Sequence, residues 1–444
     1  MSHSVIIGLG QTGLSCARFL ASKGEHFAIA DTRFNPPGLT EFELEFPHIE
    51  LWLGPLDAGP LCDASQLIVS PGISISEPAI ARALDAGVPV IGDVELFIRE
   101  VSTPIVAITG SNAKSTVTSL VAHMAVKAGI DVGAGGNIGL PVLDLLSEGE
   151  KELYVLELSS FQLETTHSLR AKVATILNLS ADHLDRYPDM LEYGLAKQRI
   201  YTGCETAVIN RDDDATQPVH EFKSNLVSFG LNRPEAGQFG LLTWGGGVWL
   251  AEGDKALISV DEIALTGRHG QINALSALAL GQGAGLPMDA MLAALKDFKG
   301  LDHRCQLIQT HNGVRFIDDS KGTNVGATVA ALNGLAGEGK IVLIAGGDGK
   351  AAVFDELAAP IAKHCRGVVL IGRDANLIAD VLSADIPVYK VGSMDEAVHK
   401  AVALAQNGDQ VLLSPACASW DMFKSYIARG QAFVSAVKGI CSAS

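Results

Sequence analysis

Residues 109–118 read T-G-S-N-A-K-S-T-V-T, directly after an apolar run from Thr103 to Ile108. That order carries the parts of a triphosphate cradle. A glycine-bearing loop offers N–H groups to oxygens, Lys114 offers an ammonium to the outer phosphates, and Ser115 and Thr116 offer hydroxyls for Mg2+ where a helix begins. Two details depart from the usual loop: the first glycine of a Walker A motif would fall at Ile108, and the residue before the lysine, normally glycine, is Ala113. A methyl group is small enough to point away from the phosphates. The loop is therefore expected to work with Ala113 in an ordinary right-handed, unstrained conformation.

A second phosphate-type loop opens the chain. Residues 8–13, G-L-G-Q-T-G, match G-x-G-x-x-G, and Asp31 follows 18 residues after Gly13. Such glycines let the backbone approach a diphosphate and such an acid suits a ribose, so the motif fits NAD(P), another nucleotide diphosphate, or a structural turn. Arg33, in D-T-R, stands where a phosphate or a uracil edge could be met. Further along, Glu157 ends an apolar run in V-L-E-L-S-S-F-Q. An acid there is costly unless it holds a metal or a basic partner; the alternative is a strand-end acid facing solvent. His183 stands between Asp182 and Asp185 and reads either as a ligand or as a structural histidine. Lys197, by its spacing alone, reads as a solvated helical lysine.

These residues need rigid elements behind them. Ser4 to Gly8, the helical stretch Leu14 to Ser22 and the strand His26 to Ala30 make a βαβ start, and strands at Leu67 to Ser70 and Val88 to Ile91 complete a Rossmann-like unit ending near Gly92. A second unit begins with Ile105 to Ile108 and holds the apolar strands Tyr154 to Leu158 and Val173 to Leu177, which imply a parallel sheet buried on both faces. Residues 236–265 look like an antiparallel insertion, and helices at Asn273 to Gly281 and Ala290 to Phe298 lead to a boundary at Gly300. In the third unit the strands Ile341 to Ala345, Gly367 to Ile371 and Gln410 to Ser414 run into G-G-D-G-K, G-R-D and S-P-A-C-A-S. Polar loops at the carboxyl ends of parallel strands are where ligands bind in such sheets. The expectation is an α/β protein of three domains over residues 1–92, 93–300 and 301–444: a Rossmann-like unit, a central P-loop ATPase-like unit with a parallel sheet, and a second Rossmann-like unit.

Composition narrows the function. A net charge of −17 argues against non-specific nucleic-acid binding, which needs a basic footprint to displace counterions. No apolar run approaches the roughly 20 residues that a bilayer needs, and the Met1-Ser2-His3-Ser4 start has no basic leader segment. Seven scattered cysteines without a C-x-x-C pair are the usage of a reducing cytosol, so a soluble cytoplasmic protein is expected.

In chain order, T-G-S-N-x-K-S-T, G-G-N-I-G, L-E-L-S-S-F-Q-L-E, D-H-x-D-R-Y, A-K-x-R-I-Y, H-R, D-D-S-K-x-T-N, G-G-D-G-K and S-P-A-C-A-S-x-D resemble the Mur ligases along essentially the whole chain, and within them the branch that adds D-glutamate. The resemblance implies an ATP-dependent amide ligase joining D-glutamate to UDP-N-acetylmuramoyl-L-alanine through an acyl phosphate. It assigns Gln11, Thr12, Asp31, Thr32, Arg33, Gly72, Asn137 and Gln162 to the UDP substrate. Gly110, Ser111, Asn112, Ala113, Lys114, Ser115, Thr116 and Val117, with Asn273, Arg304, Asp319 and Lys321, are assigned to ATP. Thr323, Lys350, Ser419 and Tyr426 fall to D-glutamate. Two Mg2+ ions are implied, with Ser115, Glu157, His183 and a Lys197 carbamylated by CO2 as ligands; a monomer is expected. Gly270 stands where the family often has asparagine, and Tyr426 where phenylalanine is expected. The rival readings are a Mur-type ligase with another acceptor, a non-catalytic nucleotide sensor that needs neither His183 nor Lys197, and an NAD-dependent oxidoreductase.

Overall fold

The computed structural model describes residues 3–219, 225–265, 267–335, 337 and 339–442. Met1 and Ser2, part of the segment on which the leader expectation rests, lie outside the described residues, as does the side chain of Cys441. Three sheets organise the chain. The first is built from β1 (Ser4–Ile7), β2 (Phe27–Asp31), β3 (Leu51–Leu53), β4 (Gln66–Val69) and β5 (Val90–Ile91), all parallel, in the order β3-β2-β1-β4-β5. The order reverses between β1 and β4, which opens a crevice at their carboxyl ends. The sequence reading missed β3: its three residues are only half-buried and too few to show a pattern.

The second sheet has nine strands: β6 (Ile105–Thr109), β7 (Val132–Gly136), β8 (Leu153–Glu157), β9 (Val173–Ile176), β10 (Thr206–Asn210), β11 (Asn225–Phe229), β12 (Gln238–Trp244), β13 (Gly247–Glu252) and β14 (Lys255–Ser259). Their order is β14-β13-β12-β11-β10-β9-β6-β8-β7. The pairs from β7 to β12 are parallel, and β12-β13-β14 form the antiparallel insertion expected from the sequence. Strands β6, β8 and β9 are buried throughout, as continuous Val/Ile/Leu runs demand.

The third sheet runs β15-β16-β20-β17-β18-β19, from β15 (Gln306–His311), β16 (Val314–Asp318), β17 (Ile341–Gly346), β18 (Cys365–Ile371), β19 (Val388–Lys390) and β20 (Gln410–Leu413). Only the β15–β16 pair is antiparallel. The chain packs as two compact units, the first of Met1–Leu179, Leu191–Ser259 and Ala274–Lys296, the second of Ser180–Met190, Val260–Asn273 and Asp297–Ser444. The D-H-L-D-R-Y segment therefore packs with the second unit, although its sequence neighbours on both sides belong to the first. Among the described residues no helix is long and apolar enough to cross a membrane, and six cysteines are free thiols.

Candidate active site

The phosphate-loop candidate leaves β6, whose neighbours are β8 and β9, and runs into the helix Lys114–Lys127. A helix start presents N–H groups and a positive dipole end to an anion. Lys114 folds back over the loop, its Nζ donating to the carbonyls of Gly110 at 2.7 Å and Ser111 at 3.0 Å. From the β9 side the loop is held by Asn178. Its carbonyl accepts from the Ser111 N–H at 2.9 Å, its Oδ1 from the Asn112 N–H at 2.8 Å, and its Nδ2 donates to the Asn112 carbonyl at 3.1 Å. Sequence reasoning did not single out Asn178. The available signal was an amide, able to bond both ways, directly beyond an apolar strand. Ser115, Thr116 and Val117 are buried in the first turn of the helix.

Ala113 corrects an expectation. Its backbone is left-handed, with φ 67° and ψ −7°, not right-handed. The turn from strand to helix demands the conformation that glycine supplies without cost, and an L-residue there carries roughly 1 kcal/mol of strain. Ala113 caps the helix by accepting from the Val117 N–H at 3.0 Å.

Glu157 closes β8, two per cent exposed, with Ile108 of β6 as its register partner. Its Oε1 accepts from Asn137 Nδ2 at 2.7 Å, whereas Oε2 is buried with no hydrogen-bond partner. A buried carboxylate oxygen without a hydrogen-bond partner has the chemistry of an oxygen ligand for a hard cation. Gly136 makes this approach possible: at φ +106°, a Cβ there would sit 2.4 Å from the Glu157 carbonyl. Lys197 contradicts its solvated reading. It is one per cent exposed, its Nζ 3.3 Å from Thr109 Oγ1 at the end of β6 and 4.7 Å from the Tyr193 ring centroid. Burying an ammonium is expensive unless it is paired or serves chemistry. Gln162 is buried too, but its Oε1 is spent on a capping box, accepting from the Ser159 N–H at 3.0 Å.

At the first sheet, Gly8 has φ +104°, and a Cβ on Gly13 would lie 1.9 Å from the Gly8 carbonyl, so both glycines are dictated by the turn and by helix-on-strand packing. Asp31 is fully buried. Its Oδ2 accepts from the Leu9 N–H and from Arg33 Nη2, both at 2.7 Å, and its Oδ1 from the Arg33 N–H at 2.9 Å and Nε at 2.8 Å. Burial raises its pKa, but the Arg33 and backbone hydrogen bonds outweigh that and hold it below the ordinary carboxylate range. These four hydrogen bonds occupy the Asp31 carboxylate in this structure. Gln11 and Thr12 begin the helix Gln11–Ser22, while Thr32 and Gly72 stand exposed beyond β2 and β4.

In the second unit a cavity of ≈ 100 Å³ brings together His183, Thr323, Asn324 and Lys350. Lys350 Nζ pairs with Asp182 Oδ1 at 2.6 Å, and Asn324 Nδ2 donates to Asp182 Oδ2 at 3.1 Å. Burial pushes Asp182 up, but Lys350, His183 and the two hydrogen bonds prevail and lower it to about 2. Asp182 and Asn324 were missed as partners because Asp182 meets Lys350 across 168 residues of chain and Asn324 across 142. His183 and Lys350 both have positive φ, 56° and 51°, unusual strain concentrated at one cavity.

In the same unit, Asp319 is pushed up to about 7 by burial, opposed by hydrogen bonds from Ser414 Oγ at 2.7 Å and the Cys305 N–H at 3.2 Å and by Arg304. Lys321 Nζ lies 4.3 Å from the Tyr426 ring centroid, and the Tyr426 carbonyl accepts from Ser320 Oγ. The loop carrying Ser419 is tied to G-G-D-G-K by paired Asp348–Ala418 backbone bonds of 3.0 and 2.7 Å. Buried Arg429, also missed, donates to the carbonyls of Cys417, Ala418 and Ser320 and so fixes both loops. Gly270 is explained by space: a Cβ would meet the Leu265 carbonyl at 2.4 Å. Asn273 is half-buried in the helix Gly267–Ala284.

The chain matches three family descriptions in series: "Mur ligase MurD-like, N-terminal domain" over residues 2–92, "Mur ligase middle domain" over 108–281 and "Mur ligase, glutamate ligase domain" over 303–417. It is 53% identical over 436 residues to the UDP-N-acetylmuramoylalanine--D-glutamate ligase of Pseudomonas aeruginosa, covering 98% of this chain and 97% of that one. The same-named protein of Nitrosococcus oceani is 53% identical over 439 residues, covering 99% and 97%. Among solved structures, the fold is similar to the MurF ligase of Thermotoga maritima in complex with ADP, with a TM-score of 0.63, 16% identity and coverage of 100% and 96%. The UDP-N-acetylmuramate-alanine ligase MurC of Thermotoga maritima gives 0.61, 21%, and 99% and 100%.

Proposed function

We propose that this chain, which belongs to the Mur ligase family, joins D-glutamate to UDP-N-acetylmuramoyl-L-alanine at the expense of ATP, in the cytoplasmic synthesis of peptidoglycan precursors that supports cell-wall growth and cell division. The observation that carries the acceptor is the 53% identity, over 98% of the chain, to a ligase named for that reaction. Residues 1–92 serve the UDP substrate, 93–300 the ATP phosphates, and 301–444 the amino acid. An amine does not attack a carboxylate at neutral pH, so the alanine carboxylate first takes the γ-phosphoryl group of ATP and ADP leaves. The amine of D-glutamate then attacks the acyl carbon, loses a proton and expels phosphate.

Lys114 and the helix start behind it hold the phosphates and stabilise charge on the transferring group. Glu157, with one carboxylate oxygen uncommitted, suits Mg2+, and Ser115, His183 and Lys197 complete the ligands assigned to the two ions. Among the described residues no three His, Cys, Asp or Glu side chains gather around one point. A carbamate on Lys197, formed from its neutral amine and CO2, turns a buried cation into an oxygen donor and supplies what that set lacks. Bound there, Mg2+ would spread the charge of the phosphoryl group. Thr323, Lys350, Ser419 and the backbone around Tyr426 offer donors for the two carboxylates of D-glutamate. Asp31 positions Leu9 and Arg33 rather than touching the diphosphate itself. Asn137 orients Glu157, a role added to its assignment on the sugar side. A phosphate-release assay with ATP, Mg2+, the UDP substrate and a panel of D-glutamate, L-glutamate, L-alanine and a diamino acid tests the reading. Turnover with D-glutamate alone is expected, and preference for another acceptor would assign the chain to a different branch of the family.

A further inference from the structure

We propose that Phe34 is the stacking platform for the pyrimidine base of the UDP substrate, an assignment that rests on the UDP-substrate reading above. Its ring is 75% exposed, directly beyond the Asp31–Arg33 lock at the carboxyl end of β2. A single exposed aromatic needs no explanation by itself. Phe34 differs because the protein spends specific structure on presenting it. The ring edge rests on Gly54, where a Cβ would meet Cε1 at 2.7 Å and Cζ at 2.8 Å, and Gly54 has φ +100° and donates its N–H to the Asp31 carbonyl at 2.9 Å. The loop that carries Phe34 is tied at both ends to one residue of the glycine-rich turn. Leu9 donates its N–H to Asp31 Oδ2 at 2.7 Å, and its carbonyl accepts from the Gly38 N–H at 3.0 Å. Pro36 and Pro37 remove further freedom between those ties.

The result is a stiff finger with an aromatic tip, registered to the diphosphate turn. Strands β2 and β3 lie one and two strand spacings, about 5 and 10 Å, from the strand that feeds that turn, and a nucleoside spans such a distance from its pyrophosphate. Arg33, the preceding residue and half-exposed, pairs with Asp31 and anchors the base of the finger. A planar base meeting a rigidly held ring gains stacking without ordering either partner.

The test compares Phe34→Ala, Phe34→Leu and Phe34→Trp in the full chain. Binding of UDP, and of ribose 5-phosphate as the base-free probe, is measured by calorimetry beside steady-state kinetics. The expected result is a loss of about tenfold in UDP affinity and a matching rise in KM for the UDP substrate in the Ala and Leu variants. Trp should stay near wild type, with kcat and the KM values for ATP and D-glutamate unchanged throughout. Exposure of the ring makes unchanged thermal stability a fair control. Ala or Leu variants that bind UDP as wild type does would overturn the assignment. Inactivity of the wild-type chain with the UDP substrate would instead refute the ligase reading, and UDP calorimetry separates the two.

Discussion

At the scale of single residues, strain and burial mark the chemistry. Ala113 holds a left-handed backbone for the sake of the phosphate turn. Ala113→Gly should therefore raise stability by roughly 0.5–1 kcal/mol, seen as a higher Tm, with the KM for ATP within a few-fold of wild type. An unchanged or lower Tm would show that the turn carries no strain. Lys197, buried beneath the end of β6, is expected to act as a carbamate. Lys197→Ala should lose most activity, and acetate should restore part of it by supplying the missing oxygen donor; near-normal turnover without additive would contradict the role. Asp319, with a folded pKa of about 7 against an ordinary 3.8, favours its protonated form in the folded protein. That group thus costs stability progressively as pH rises from about 4 through 7. Asp319→Asn, neutral throughout, should be more stable than wild type near pH 8, by up to about 4 kcal/mol, and no more stable near pH 4; denaturant titrations at both pH values decide it.

At the scale of elements, the loops work because neighbouring strands hold them. Asn178, just beyond β9, fixes the phosphate loop through two side-chain bonds to Asn112. Asn178→Ala removes about 0.5–1.5 kcal/mol per bond, so the KM for ATP should rise about tenfold while the KM for the UDP substrate stays constant; equal rises in both would point to general loosening instead. The buried strands were legible in the sequence because a parallel sheet covered on both faces writes unbroken apolar runs, as at Ile105–Thr109 and Val173–Ile176. Strand β3 was not, being short and half-buried. Lys197 was misread for another reason: helical spacing reports a face, and only tertiary packing says what covers it. Ala113 failed similarly, since its φ is imposed by the turn and not by its own side chain. Motif order carried the candidate site, whereas the residues that position it, Asp182, Asn324 and Arg429, meet partners across long stretches of chain and leave no local signal, and Asn178 leaves only an amide beyond an apolar strand.

At the scale of the molecule, three α/β sheets give three sets of strand ends, each with its own polar loops. The first offers a glycine turn registered by Asp31, the second a lysine-bearing phosphate loop beside an open carboxylate oxygen, and the third a cavity lined by Lys350 and Thr323. A ligase needs three substrates, and the proposed function assigns one to each set of strand ends. On that proposal an acidic chain of net charge −17 would hold its anionic ligands by local cations and backbone N–H groups. The most direct measurement is of product. Incubated with ATP, Mg2+ and UDP-N-acetylmuramoyl-L-alanine, the chain should form one amide per phosphate released when D-glutamate is supplied and none with L-glutamate, read by mass spectrometry beside the phosphate assay. Amide formation with both enantiomers at equal rates, or phosphate release without amide, would contradict the account.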